Sequence, residues 1–231
     1  LVLKRYSMIG DGLSHVAFAA LTIAVAMNVA PLYISTPIVT VAAIILLRLS
    51  ENSKIKGDSA IALISTVSIA IGVVVTALTK GMNTDVYSYM FGSILAMSES
   101  DVYMSIALSV VVIILFVFFY NKIFAVTFDE SFAKATGTKA DAYNMIIAVL
   151  TAITIVVGMR IMGTMLISSL IIFPALISMR NFKTFKSVII CSAIVSVVCF
   201  FLGIVLSYLY SIPTGASIVL VNTVALILSY L

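Results

Sequence analysis

About eight apolar segments follow one another through this chain, each of roughly 16–23 residues, about the length a helix needs to cross a hydrocarbon core. They run from Leu13 to Val29, Pro31 to Leu49, Ala60 to Leu78, Val102 to Tyr120, Ala142 to Val157, Ile161 to Met179, Val188 to Tyr210 and Pro213 to Leu231, and most are bounded by charge or by proline. Barrel strands would alternate apolar and polar residues with period two, whereas these segments are evenly apolar. The expectation is an all-α, polytopic transmembrane helix bundle built as one domain over residues 1–231. Composition supports that class, since 63% of residues are hydrophobic and 10% charged, against about 45–50% and 25% in soluble domains.

Alternating the spans sorts the charges. Lys4 and Arg5, Arg48, Lys54 and Lys56, Lys122, Lys134 and Lys139, and Arg180, Lys183 and Lys186 fall on one side, and Lys80 and Arg160 on the other. Cytoplasmic loops carry the excess of lysine and arginine, so the first set is expected inside, with a cytoplasmic C-terminus. The lysine-rich inner loops and the lack of an outer-membrane pattern point to a bacterial plasma membrane. The net charge of +4 follows from this sorting. No basic cluster is interleaved with aromatics on a polar segment, which excludes a nucleic-acid partner. The link at Ala30 is so short that the first two spans must form a tight hairpin or a broken helix, and Tyr89–Met97 is apolar but too short to cross. Leu1-Val-Leu followed by Lys4-Arg5 reads as the cytoplasmic end of an upstream helix, so a further N-terminal span is expected to precede it. Cys191 and Cys199 share one segment at a helical rise of about 12 Å, too far for a mutual disulfide, and read as packing residues.

Chemistry concentrates in Asp11-Gly-Leu-Ser-His15, which holds the sole histidine of the chain. Residues four apart on a helix lie one above the other, so the Asp11 carboxylate and the His15 imidazole can converge on one point. Ionisable groups in a membrane span mark ion paths or proton relays. A local Asp–His hydrogen bond and a metal or proton site are equally good readings, and Asp11 could also serve as a helix N-cap. The same face carries Ser14, Phe18, Thr22 and Ala26, small and polar enough for a pathway or a helix interface. One Asp and one His do not complete the coordination of zinc or manganese. A second copy across a twofold axis would supply two more ligands, a nitrogen and oxygen mixture suited to zinc, with manganese or ferrous iron as alternatives.

A second motif runs from Thr127 to Gly137, expected on the cytoplasmic side. Thr127 followed by Glu130 reads as a capping box and Gly137 as a helix stop, which predicts a short helix. Phe128 and Phe132, four apart, give that helix an apolar ridge fit to dock a soluble partner, or to lie in the lipid headgroups. Pro174 is expected to kink the sixth span, Gly158, Gly163, Thr164, Ser168 and Ser169 to permit close packing or a break, and Pro213-Thr-Gly215 to open the last span.

With these residues in hand, the chain resembles the permease subunits of bacterial ABC importers for zinc and manganese along nearly its whole length. Tyr6 to Ala20 looks like the family's Ser-Leu-Met-Gly-Asp-Ala-Leu-Ser-His signature. Phe91-Gly-Ser-Ile-Leu95, Phe128-Asp-Glu through Ala133-Lys-Ala-Thr-Gly137, Gly163-Thr-Met-Leu-Ile167 and Pro213-Thr-Gly-Ala216 follow in the family's order. The resemblance implies a homodimeric or paired permease, two cytosolic ATP-binding subunits and an extracytoplasmic metal-binding protein. It also implies that Asp11 and His15 lie on the metal pathway. Phe128, Asp129, Glu130, Phe132, Lys134 and Gly137, within a coupling segment near 127–140, would then meet the ATPase. The ion would arrive near Asp85 to Asp101, with no cofactor held permanently and zinc or manganese as cargo. No Gly-x-x-x-x-Gly-Lys-Ser/Thr loop is present, so this chain is not the nucleotide-binding subunit and is not expected to be an enzyme. Because a histidine must be neutral to ligate, uptake is expected to fall on acidification. The competing reading is a proton- or ion-coupled secondary transporter with Asp11 and His15 as a relay. A purely structural subunit, in which the two residues only pair with each other, is a further alternative. A His-Glu-x-x-His metalloprotease is ruled out by the single histidine.

Overall fold

A computed structural model describes residues 2–4, 7–52, 57–79 and 99–230, and among the described residues the chain is all helical. A 3-10 turn over Val2–Lys4 precedes α1 (Ser7–Ala26), α2 (Pro31–Asn52) and α3 (Gly57–Leu78). Then come α4 (Glu99–Phe118), α5 (Tyr120–Phe128), the short α6 (Glu130–Ala135), α7 (Ala140–Met162), α8 (Thr164–Asn181), α9 (Phe185–Tyr210) and α10 (Thr214–Tyr230). All eight apolar segments therefore fold as helices. The short apolar stretch Tyr89–Met97, the Phe91–Leu95 motif, Lys80 and Asp85 lie outside the described residues.

α1 is the hub. It packs against α2, α3, α7 and α8, and 72% of its membrane-length window is buried, against 17% for α9. Leu13, Ala17 and Leu21 of α1 meet Val39, Ala43 and Leu46 of α2, Ala152, Ile155 and Met159 of α7 and Ile167 of α8 in one core. Of the small residues expected to let helices approach, Gly158 does so, since a Cβ there would run into the Ile167 side chain of α8; Gly72 of α3, not singled out from the sequence, does the same for the Phe18 ring, 2.5 Å from where its Cβ would be. α9 and α10 form an outer layer on α8. There Gly203 lets the helices touch, because a Cβ at that position would sit 2.6 Å from the Ile218 Cα, and the Ser217 hydroxyl donates to the Gly203 carbonyl at 2.9 Å. Cys191 and Cys199 are free thiols of α9.

Local chemistry explains the joints. α1 ends at Asn28, whose φ of +52° puts it in the left-handed region, with Asn28 N–H donating to the Val25 carbonyl and Val29 N–H to that of Ala24. That is a Schellman stop, and Pro31 then opens α2, so the short link makes a hairpin of two helices rather than one broken helix. Between α7 and α8 the whole joint is Gly163, at φ +83° and ψ +166°, a conformation that a side chain would resist. Pro174 sits inside α8, which continues past it to Asn181, and the Ser178 hydroxyl donates to its carbonyl. Pro213 immediately precedes α10, and its carbonyl accepts from Ser217 N–H in that helix's first turn.

Five described helices are long and apolar enough to cross a membrane, or six if α4 and α5, bent by 69° at Phe119, count as one span. Leu166–Asn181 and Thr214–Tyr230 are shorter apolar helices, the latter about 26 Å long at 1.5 Å per residue, where the hydrocarbon core is roughly 30 Å. The expected count of about eight is therefore not reached by length and composition alone.

Candidate functional site

Asp11 and His15 sit where the four-residue spacing put them. α1 begins at Ser7, so Asp11 is a full turn inside the helix and is not its N-cap. The His15 Nε2 to Asp11 Oδ2 distance is 3.7 Å, longer than a hydrogen bond. The two side chains face the same point without closing on each other. Two donors on a tetrahedral ion, with bonds of roughly 2.1 Å, stand about 3.4 Å apart, so a few tenths of an ångström of closure would place both on one metal.

Their exposure sets them apart from the side chains around them on α1. The His15 and Asp11 side chains are 29% and 41% exposed, while Ser14, Phe18 and Thr22 on the same face are buried. The predicted polar face thus divides in two. Its inner part is a helix interface, and its Asp11 and His15 end opens to the surface of the single chain.

α8 contributes a hydroxyl to this end. Ser168 Oγ donates to Ser14 Oγ at 3.3 Å and stands beside the Asp11 carboxylate, while Ser14 Oγ donates to the Asp11 carbonyl at 2.7 Å. Sequence reasoning read Ser168 only as a small packing residue. The signal that it does more is the break at Gly163, which starts α8 close enough to Asp11 for its second turn to reach the site. Among the described residues no group of three or more His, Cys, Asp or Glu side chains gathers. Among the described residues this place thus holds one imidazole nitrogen and one carboxylate, fewer donors than a four-coordinate ion takes.

The Thr127–Gly137 motif forms a short helix with a different cap. The N-cap of α6 is Asp129, whose Oδ1 accepts from Phe132 N–H at 2.8 Å. Thr127 closes back into α5, donating to the Ile123 carbonyl at 2.6 Å. The capping-box expectation thus fails because α5 runs through Thr127 to Phe128 and leaves Asp129 as the first extended residue. Gly137 is the stop: at φ +79°, its N–H donates to the Lys134 carbonyl, and Thr138 N–H donates to that of Ala133. Phe128 and Phe132 are exposed, as expected, and Phe128 also packs a tilted ring on Phe124 at 5.0 Å and an edge-to-face ring on Phe185 at 5.7 Å.

Glu130 leaves the cap role and becomes a node. Its Oε1 accepts from Lys134 at 3.0 Å and its Oε2 from Lys4 at 3.4 Å and from the Asn144 amide at 3.2 Å. Lys4 also donates to Asn144 Oδ1, and Lys134 reaches Asp141 at 3.0 Å. Burial would raise the Glu130 pKa, but the bonds from Lys134 and Asn144 and the Lys4 charge outweigh it and hold the carboxyl below its usual range. The Lys134 ammonium is held above the usual lysine value by Asp141 first and Glu130 second. Neither Lys4 nor Asn144 was singled out as functional from the sequence. The available clue was an asparagine one turn into an apolar helix, which needs a polar partner as His15 does.

Comparison with known proteins adds a frame. A family described as "ABC 3 transport family" matches residues 1–231. The chain is 26% identical over 230 residues to the manganese import system permease protein ScaB of Streptococcus gordonii, covering 100% of this chain and 82% of that protein. It is 28% identical over 230 residues to the high-affinity zinc uptake system membrane protein ZnuB of Haemophilus influenzae, covering 99% of this chain and 87% of the relative. Its fold is similar to a chain in the structure of PsaBC from Streptococcus pneumoniae in complex with Fab. The TM-score is 0.89 at 27% identity, over 100% of this chain and 83% of that one.

Proposed function

The chain belongs to the ABC 3 transport family, and on that premise we propose that it is the permease subunit of an ATP-driven importer of divalent transition metal ions. Relatives named for manganese and for zinc bracket the cargo. The imidazole nitrogen of His15 favours zinc and the Asp11 oxygen accepts either ion. The observation that carries the reading is the convergence of Asp11 and His15, 3.7 Å apart, both partly exposed on a mostly buried hub helix.

A homodimer completes the site. Two chains related by a twofold axis beside α1 would bring two aspartates and two histidines to one ion, replacing its hydration shell. From α8 the Ser168 hydroxyl steadies this turn of α1 through Ser14, which donates to the Asp11 carbonyl, as outer hydrogen bonds orient metal ligands generally. In this arrangement α8 and α10 complete their crossings against the longer α9, giving about eight spans in one domain over residues 1–231, in the bacterial plasma membrane with the C-terminus cytoplasmic. Lipid would cover the exposed apolar face of α9 at Ile194, Val198 and Phe201.

ATP is hydrolysed elsewhere. Phe128 and Phe132, with Asp129, Glu130, Lys134 and Gly137 shaping the segment near 127–140, present the apolar ridge to a cytosolic ATP-binding subunit. An extracytoplasmic metal-binding protein delivers the ion to the opposite end. The test is metal stoichiometry. The purified full-length permease should bind one zinc per two chains, and His15→Ala should abolish that binding while the protein stays dimeric. Binding of one ion per chain, or unaltered binding in His15→Ala, would overturn the shared site.

A further inference from the structure

α6 is a helix of six residues with one buried side chain, Ala133, which joins only a small cluster with Val126 and Ala140. So little apolar contact cannot by itself make the helix move rigidly with the bundle. What ties it inward is polar. Glu130 Oε2 accepts from the Lys4 ammonium at 3.4 Å and from the Asn144 amide at 3.2 Å, and Lys4 also donates to Asn144. The Lys4 side chain is 8% exposed and Asn144 is 2% exposed, so this knot is out of water on its inner side. The other carboxylate oxygen faces outward to Lys134.

Both partners lead toward the metal pair. Lys4 closes the 3-10 turn that comes just before α1, the helix of Asp11 and His15. Asn144 stands near the start of α7, whose Ala152, Ile155 and Met159 pack with Leu13 and Ala17 of α1 in the core. A displacement of α6 thus has two hydrogen-bonded links inward: one to Asn144 of α7, which packs on α1, and one to Lys4 of the N-terminal turn, which packs on α5 and α8. A buried ionic knot keeps its geometry because breaking it leaves a charge unpaired away from water.

We propose that Lys4 and Asn144 are positioning residues which, through Glu130, transmit movement of the α6 segment to the helices that hold and flank Asp11 and His15. The proposal rests on the importer reading and deepens it. It assigns Lys4 and Asn144 no contact with metal or ATPase, so their loss should uncouple the two activities without preventing either partner from binding.

The experiment uses full-length permease reconstituted with its ATP-binding subunit and metal-binding protein, and reads zinc taken up per ATP hydrolysed. Lys4→Met and Asn144→Leu are each expected to lower that ratio about five-fold, with ATPase assembly and zinc affinity kept. Lys4→Arg, which retains the charge, should restore it. Because both links start at Glu130, adding Lys4→Met to Glu130→Gln should be no worse than Glu130→Gln alone. Should Lys4→Met fail to assemble, Asn144→Leu and Lys4→Arg carry the comparison. An unchanged ratio in assembled variants, or effects that simply add, would overturn the transmission role and leave the importer standing. Wild-type protein without ATP-dependent uptake would overturn the importer reading itself.

Discussion

His15 faces two demands at once: it lies on a helix that is otherwise interior, and it needs a polar partner. Asp11 answers from one turn away at 3.7 Å, too far for a hydrogen bond and close to the spacing of two ligands on one ion. From α8, Ser168 donates to Ser14, whose own hydroxyl bonds the Asp11 carbonyl. Removing that support with Ser168→Ala is expected to weaken zinc binding by about ten-fold without lowering the unfolding temperature, as read by chelator competition and thermal scans. Unaltered affinity would return Ser168 to a packing role. The proximity of this pair was legible in the sequence because helical spacing is local and both residues lie inside α1. The Ser168 contribution was not, because it depends on where α8 starts relative to α1, which no periodicity reports.

Among the elements, the apolar segments were read correctly as helices, and their edges moved by a few residues where capping chemistry decided. α9 begins at Phe185 because Thr184 caps it, its hydroxyl accepting from Ser187 N–H, whereas hydropathy started that span at Val188. The bend at Phe119 carries neither glycine nor proline, so nothing in the local sequence announced it. Close approach leaves a testable mark at α9 and α10. Gly203→Ala pushes a methyl group against the Ile218 backbone and should destabilise the protein by about 1–3 kcal/mol, measured by unfolding in mixed micelles. A loss below a few tenths of that would mean the outer layer is loosely packed. α6 carries a pH signature. Glu130 is held below its usual pKa, so its stabilising contribution is complete above the unfolded carboxylate value and disappears as pH falls through the folded one. Lys134, held above its usual value, contributes fully below the unfolded lysine value and loses that contribution as pH rises past the folded one. Amide exchange in residues 130–135 should therefore quicken in acid below the carboxylate range, and Glu130→Gln should remove that acid step. A step that persists in Glu130→Gln would assign it to another group.

For the whole molecule, the chain presents the paired Asp11 and His15 side chains, which we propose as half a metal shell, and exposes Phe128 and Phe132, which we propose as a docking ridge. The knot at Lys4, Glu130 and Asn144 lies between the ridge and the hub, and it joins parts of the chain 126 and 140 residues apart. Such long-range pairings are what a reading of spans cannot supply. A charge-sorted list of loops put Lys4 and Lys134 on one side, and the network through Glu130 brings them to the same end of the bundle. The family match over residues 1–231 agrees with the family resemblance read along nearly the whole sequence. The most direct measurement is zinc and manganese uptake into proteoliposomes holding the full-length permease and its ATP-binding subunit, with and without ATP, beside His15→Ala. The account predicts ATP-dependent uptake that the variant loses while the ATPase still assembles. Uptake indifferent to ATP and driven by a proton gradient would contradict it and make Asp11 and His15 a relay.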